Sequence, residues 1–344
     1  MKNYFVIFIL SLMAFVPNRT AAIIPPSIAT NDEVLFSFAV LGCNRLDKAD
    51  TNTLINPSTA NIEQLMQTFN DIANLNPRPK LLFFAGDLVI GYAGDTAKLG
   101  AELRHWRKLY ENSVLAKTDI KLIVTPGNHE SMIKKGGPAT LGMEDTWVRN
   151  MMPYILNNNG PHAGGLDSLK TDQSQLTYSF DYEGSHFIVL NTDPAGREAR
   201  VPSEWIRNDL ANNQNKKTIF AIGHKPGFSA PDEKGLDEYM QQRDKFWATL
   251  EKGNCTAMIA AHNHLYYCIK PQTKTWQIIA GHGGSVLSKG LAPENTFFGF
   301  VVLSVYKSGK VLVTSYGRDL PKEGYNKAIG TNKTTIRDQF IINY

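Results

Sequence analysis

An α/β fold is predicted by three features of the sequence. Short apolar runs of strand length alternate with segments of helical period from residue 34 onward. Most of those runs stop at a glycine or an alanine followed by Asp, Asn, His or Cys, so polar chemistry collects at strand ends. No Ser/Gly linker, low-complexity block or repeat divides residues 23–344, which leaves one two-sheet domain as the simplest arrangement.

Taken in order, Val34 to Leu41 reads as the first strand and ends at Gly42-Cys43-Asn44-Arg45. Ile62, Leu65, Met66, Phe69, Ile72 and Leu75 keep helical spacing after the cap candidates Ser58 and Thr59, and Asn76-Pro77 ends the pattern. Leu81 to Ala85 is a second strand closing at Gly86-Asp87, and Leu99, Leu103, Trp106 and Tyr110 mark a second amphipathic helix. Lys121 to Val124 is a third strand, stopped by Pro126 and Gly127 and followed at once by Asn128, His129 and Glu130. Ser131 to Gln175 has poor periodicity and reads as a long, partly helical excursion over the strand ends. Strands follow at His186–Leu190, Thr218–Ile222, Thr256–Ala260 and Trp276–Ala280, with a helix from Ser203 through Leu210. Phe297–Tyr306 and Val311–Tyr316 flank a turn at Lys307-Ser308-Gly309-Lys310.

Residues 1–22 combine a basic start at Lys2, an apolar run from Tyr4 to Val16 and small residues at Thr20, Ala21 and Ala22. This is the pattern of a cleaved signal peptide, shorter in its apolar run than the ~20 residues of a membrane span. The protein is therefore expected to be exported, periplasmic or secreted, with no stable membrane anchor after cleavage. Cleavage removes Lys2 and Arg19 and no acid, so the formal charge of +4 falls by two. A near-neutral balance without a basic run interleaved with aromatics argues against dedicated nucleic-acid binding. Of the three cysteines, Cys255 and Cys268 are candidates for a disulfide, leaving Cys43 over. Nothing in the chain indicates an oligomeric state.

The strand ends deliver Cys43, Asp87, Asn128, His224 and His262 to what should be one edge of the sheets, where ligands bind in α/β proteins. A carboxamide oxygen and imidazoles ligate cations, and an imidazole beside them moves protons. Gly86-Asp87, Gly127-Asn128-His129-Glu130, Gly223-His224 and Ala261-His262-Asn263-His264 occur in the order found in the calcineurin-like metallophosphoesterases, the superfamily that includes the purple acid phosphatases. The chain resembles that superfamily across most of residues 23–344. The resemblance implies a four-layer α/β/β/α sandwich of two packed mixed sheets with the metal site at the carboxyl ends of the strands. It implies that Asp87 bridges two metals, that Asn128, His224 and His262 complete one site, and that His264 serves the other. His129 would face the substrate, stabilising the phosphate or protonating the leaving oxygen. One or two divalent or trivalent ions, Zn, Fe or Mn, and a small phosphorylated substrate are implied with them.

The resemblance breaks at the first motif, normally Asp-x-His, where this chain has Cys43-Asn44-Arg45. Three readings stand. Cys43 ligates as a thiolate, favouring zinc, with Asp47 or Asp50 completing the shell. Alternatively the first metal is absent, and Arg45, which does not deprotonate in proteins, grips the phosphate and supplies part of the missing charge. In the third, the site binds without catalysis. The iron-binding tyrosine of purple acid phosphatases is replaced by Ile90. Arg45, Asn128 and His282, the last in the turn Gly281-His282-Gly283-Gly284, are candidate substrate contacts. His105, His162 and His186 read as structural or solvated. The expected activity is metal-dependent hydrolysis of phosphoesters, most simply monoesters, with a phosphodiesterase as the alternative.

Overall fold

The computed structural model describes residues 32–288, 293–327 and 333–343, so the expected signal peptide lies outside the described residues. The strands are β1 (Val34–Leu41), β2 (Leu81–Ala85), β3 (Lys121–Thr125), β4 (Tyr178–Tyr182), β5 (Ser185–Leu190), β6 (Ile219–Gly223), β7 (Ala257–Ala260), β8 (Tyr266–Ile269), β9 (Trp276–Ala280), β10 (Phe298–Tyr306), β11 (Val311–Arg318) and β12 (Thr335–Ile342). The α-helices are α1 (Ile62–Ala73), α2 (Thr96–Glu111), α3 (Asn128–Ser131), α4 (Leu141–Met151), α5 (Ser203–Asn212) and α6 (Met240–Lys252).

Two six-stranded sheets form, ordered β12-β11-β10-β1-β2-β3 and β4-β5-β6-β7-β9-β8. Both are mixed. In the first, β1, β2 and β3 run parallel and β10 to β12 antiparallel; in the second, β5, β6, β7 and β9 run parallel between antiparallel β4 and β8.

Alternation along each buried strand divides its side chains between two cores, because successive residues face opposite sides of a sheet. Phe38 and Val40 of β1, Phe83 of β2, Phe187 of β5 and Phe220 of β6 point between the sheets. Ala39, Leu41, Leu82 and Phe84 point outward under α1, α2 and α4, and Ile188, Ala221 and Met258 point outward under α5 and α6. Four layers result, α/β/β/α, as the resemblance implied. The middle of the inner core is aromatic: the Phe38 ring meets Phe220 at 4.9 Å, Phe187 at 5.2 Å and Phe83 at 5.6 Å, each contact edge-on. Such pairs add ~0.5–1.5 kcal/mol each beyond the area they bury.

Several expectations change. The cap of α1 is Asn61, whose side chain accepts from Gln64 N; the Thr59 hydroxyl oxygen instead accepts the Ile90 N–H at 2.7 Å, tying the α1 entry to the loop after β2. Strands β4, β8 and β12 and helix α6 escaped the periodicity reading. β4 and β12 are edge strands with partly exposed residues, and α6 buries only Phe246, Trp247 and Leu250. Cys255 and Cys268 do not pair. They lie on opposite sides of the second sheet, Cys255 in the outer core just before β7 and Cys268 on β8 against the inner core, with β9 between β7 and β8. A disulfide cannot cross a sheet.

Candidate metal centre

At the carboxyl edge of both sheets the chain turns sharply. Cys43, Asp87 and His262 each follow a strand end by two residues and hold left-handed backbones, with φ of 58°, 56° and 63°. Non-glycine residues rarely adopt this conformation, and it persists where surrounding bonds over-determine it. It turns their side chains back over the strand ends. Asn128 opens α3 directly after Gly127, where an added Cβ would sit 2.2 Å from Asp87 Oδ1. Only glycine permits that approach.

Glu130 holds the two loops together. Its fully buried carboxylate accepts from the backbone N–H groups of Asp87 (3.0 Å), Leu88 (2.8 Å), Val89 (3.1 Å) and Gly127 (2.8 Å). Burial and the nearby Asp87 carboxylate push its pKa up, and the N–H bonds oppose them.

The side chains meet around one point. His224 Nε2 lies 3.2 Å from Asp87 Oδ1, 3.0 Å from Asn128 Oδ1 and 3.1 Å from His262 Nδ1. His224 Nδ1 contacts the Ala85 carbonyl at 2.7 Å, which assigns the ring proton there and leaves Nε2 facing the centre. His264 repeats the device, with Nδ1 2.6 Å from Val286 O, and His129 Nδ1 faces Ile90 O in the same way. Burial pushes the pKa of His129 down to about 3 and that of His264 to about 4. Burial alone would raise the Asp87 pKa, but His224, His129, Arg45 and His262 around it hold it well below the usual carboxylate range. Carboxylate, carboxamide and imidazole lone pairs converging on one point form a donor set that fits a divalent or trivalent cation.

The other side of Asp87 is different. Arg45 Nε lies 3.7 Å from Asp87 Oδ2, and the guanidinium is partly open to the cleft. Cys43 Sγ lies within 4.8 Å of ligand atoms of both Asp87 and His224, but it accepts the His262 N–H at 3.2 Å, and burial and Asp87 push its pKa well up. Asp47 and Asp50, expected to complete the shell of a metal held by Cys43, do not reach in. Both are exposed; Asp47 caps the turn Lys48–Asp50 and Asp50 accepts from the Tyr325 hydroxyl at 2.8 Å.

A cleft of about 530 Å³ opens over the centre, lined by Arg45, Asp87, Tyr92, Asn128, His129, Lys135, Lys234, His262 and His264 among others. A second lobe of about 490 Å³ shares Tyr92, Asn128, Lys135, Lys234 and His262 with it and adds Lys225, Glu198 and Tyr239. His282, expected as a substrate contact, lines neither lobe. It is fully buried with its ring against Tyr266 (5.8 Å) and Phe297 (5.1 Å), because the glycines around it let the turn fold inward. Tyr92 was missed by the sequence reading. Its only signal was the pair of flanking glycines, Gly91 and Gly94, which mark a tight turn. His105 stands half-buried on α2, His162 is exposed beside Asp172, and His186 is buried between Asp181 and Asp209.

Comparison with known proteins agrees with this fold. The chain is 24% identical over 147 residues to the probable purple acid phosphatase 20 of Arabidopsis thaliana, covering 42% of this chain and 31% of that protein. It is 27% identical over 113 residues to purple acid phosphatase 21 of the same plant, covering 32% and 24%. The matches thus span about a third or less of those relatives. Among solved structures, the purple acid phosphatase PPD1 of yellow lupin superposes with a TM-score of 0.58 at 16% identity, covering 89% of this chain and 53% of that one. A dimetal phosphatase from Danio rerio superposes with a TM-score of 0.55 at 11% identity, covering 91% and 100%. GAP50, the anchor in the inner membrane complex of Plasmodium, gives 0.55 at 14%, covering 82% and 84%. The family model for calcineurin-like phosphoesterases matches residues 39–266, more than half of the chain, from β1 through the His262-Asn263-His264 motif, and the chain belongs to that family.

Proposed function

We propose that this protein hydrolyses phosphomonoesters outside the cytoplasm, holding one cation tightly and using Arg45 where its relatives place ligands of another. The observation that carries the reading is the convergence of Asp87, Asn128, His224 and His262 on one point, with the Arg45 guanidinium against the far oxygen of Asp87. When bound, the cation supplies Lewis acidity and acidifies a water for attack on phosphorus.

The chain's own residues supply the rest. Arg45 grips phosphoryl oxygens as a charged, forked donor, and Asn128 touches the phosphate beside it. His129 stands over the centre with Nε2 3.8 Å from Asp87 Oδ2, its ring held by the Ile90 carbonyl, so that Nε2 can hold a phosphoryl oxygen or deliver a proton to the leaving oxygen. His264 lines the same cleft and is available to a second, weaker cation. Arg45, Lys135 and Lys234 line the cleft together with Asp87, Asp232 and Glu233, so its side-chain charges balance, and the preference for a monoester rests on Arg45 beside the bound cation. Residues 1–22, with the pattern of a signal peptide, support export.

The test is elemental analysis of purified protein coupled to hydrolysis of matched monoester and diester substrates, with and without chelator. About one ion per chain and chelator-sensitive monoester hydrolysis support the reading. Hydrolysis that survives complete metal removal, or preference for the diester, overturns it. A second reading, a phosphate binder without turnover, is favoured by the Cys43-Asn44-Arg45 departure and predicts metal binding with no hydrolysis of either substrate.

A further inference from the structure

We infer that Tyr92 is a positioning residue for the cation site, holding Asn128 so that its amide oxygen, rather than its nitrogen, faces the centre. The inference rests on the proposed cation at Asp87, Asn128, His224 and His262.

Asn128 has one useful face. Its Oδ1 must point at the centre, where it lies 3.0 Å from His224 Nε2, and its Nδ2 must then have an acceptor elsewhere. The Tyr92 hydroxyl is that acceptor. An amide without it turns over at little cost and presents N–H groups to a cation.

The loop that carries Tyr92 is held hard in place. Tyr92 has φ of 44°, a strained value for a bulky residue, and Gly91 before it has φ of 54°. A Cβ on Gly91 would lie 1.7 Å from the His129 carbonyl oxygen, so the loop presses directly on α3. Tyr92 N–H donates to that carbonyl at 2.8 Å, Gly91 N–H donates to Glu102 Oε2 at 2.9 Å, and the Tyr92 ring lies 3.9 Å from the His129 ring, centre to centre. One side chain thus sets the Asn128 amide and covers His129. Backbone strain kept in place by so many bonds marks a position with a task. Tyr92 stands two residues past Ile90, the place of the iron-binding tyrosine in purple acid phosphatases, and here its oxygen serves the ligand instead.

The experiment titrates Mn²⁺, and separately Zn²⁺, into metal-free full-length protein by calorimetry. Tyr92→Phe keeps the ring on His129 and removes only the hydroxyl. It should weaken cation binding ~10–100-fold, the usual loss when a partner of a ligand is removed, while the metal-free melting temperature stays put. Asn128→Asp supplies the control. A carboxylate presents an oxygen whichever way it turns, so Tyr92→Phe in the Asn128→Asp background should cost less than about threefold. Equal binding by the parent and Tyr92→Phe overturns the inference, as does an equal loss in both backgrounds, which would assign the effect to general packing. A parent that binds neither ion overturns the proposed cation site itself, a different result from a parent that binds and a variant that binds equally.

Discussion

Arg45 and Asp87 form an ion pair whose atoms, Nε and Oδ2, lie 3.7 Å apart, on the side of the carboxylate away from His224. A permanent cation stands there. The pairing leaves Asp87 Oδ1 to the donor set of Asn128, His224 and His262 and gives Oδ2 to a side chain.

Arg45→Ala and Arg45→Lys should both lower kcat/KM for a phosphomonoester ~100-fold while the tightly bound ion stays, since lysine carries the charge but not the forked geometry. Steady-state kinetics with elemental analysis on the same samples checks this. An ion gained by Arg45→Ala with no loss of rate would instead make Arg45 a plug.

His129→Ala should keep the cation and lose turnover ~10²–10⁴-fold, the range for removal of a proton-transfer or charge-stabilising group. Cation content near one per chain with hydrolysis at the parental rate would remove His129 from the mechanism. His224→Ala, by contrast, should lose both cation and rate, because its Nε2 stands in the middle of the donor set.

Glu130→Gln should destabilise the protein by ~3 kcal/mol in urea unfolding. An amide offers one acceptor where four backbone N–H groups need two, and turns its own N–H toward donors. A change below ~1 kcal/mol would mean that the loops after β2 and β3 hold without it.

His186 predicts a pH dependence away from the centre. It is buried, with Nδ1 2.8 Å from Asp181 and Nε2 2.7 Å from Asp209, while Lys216 pairs with Asp181. Burial works against its charge, but hydrogen bonds and charge from Asp209 and Asp181 raise its pKa above the ordinary value. A raised folded-state pKa gives stability that is fully present below the unfolded value near 6.5 and is lost as pH rises through the folded one. His186→Asn should therefore lower the melting temperature most at pH 5.5 and progressively less as pH rises from about 6.5 through the folded pKa. A difference that grows with pH would reverse the sign and sink the assignment.

The strands that carry the site were readable because they are buried on both faces: β1, β2, β3 and β6 are apolar runs punctuated by glycine or proline, and the polar residues after them stood out. β4 and β12 have no such contrast, since most of their residues are partly exposed and their sequences mix polar with apolar side chains. His282 misled because a histidine among glycines reads as an exposed loop, and only packing against Tyr266 and Phe297 shows where the ring goes.

By itself the sequence determined the α/β class, the family, and the identity and order of Asp87, Asn128, His129, His224 and His262, because ligand chemistry resides in residue type and burial in local pattern. Only the tertiary structure decided that Arg45 faces Asp87, that Cys255 and Cys268 lie on opposite faces of a sheet, that Asp47 and Asp50 point away, and that Tyr92 reaches Asn128. Those relations depend on left-handed turns at Cys43, Asp87, Tyr92 and His262 and on contacts between loops far apart in the chain, and no local pattern encodes the direction in which a side chain leaves such a turn.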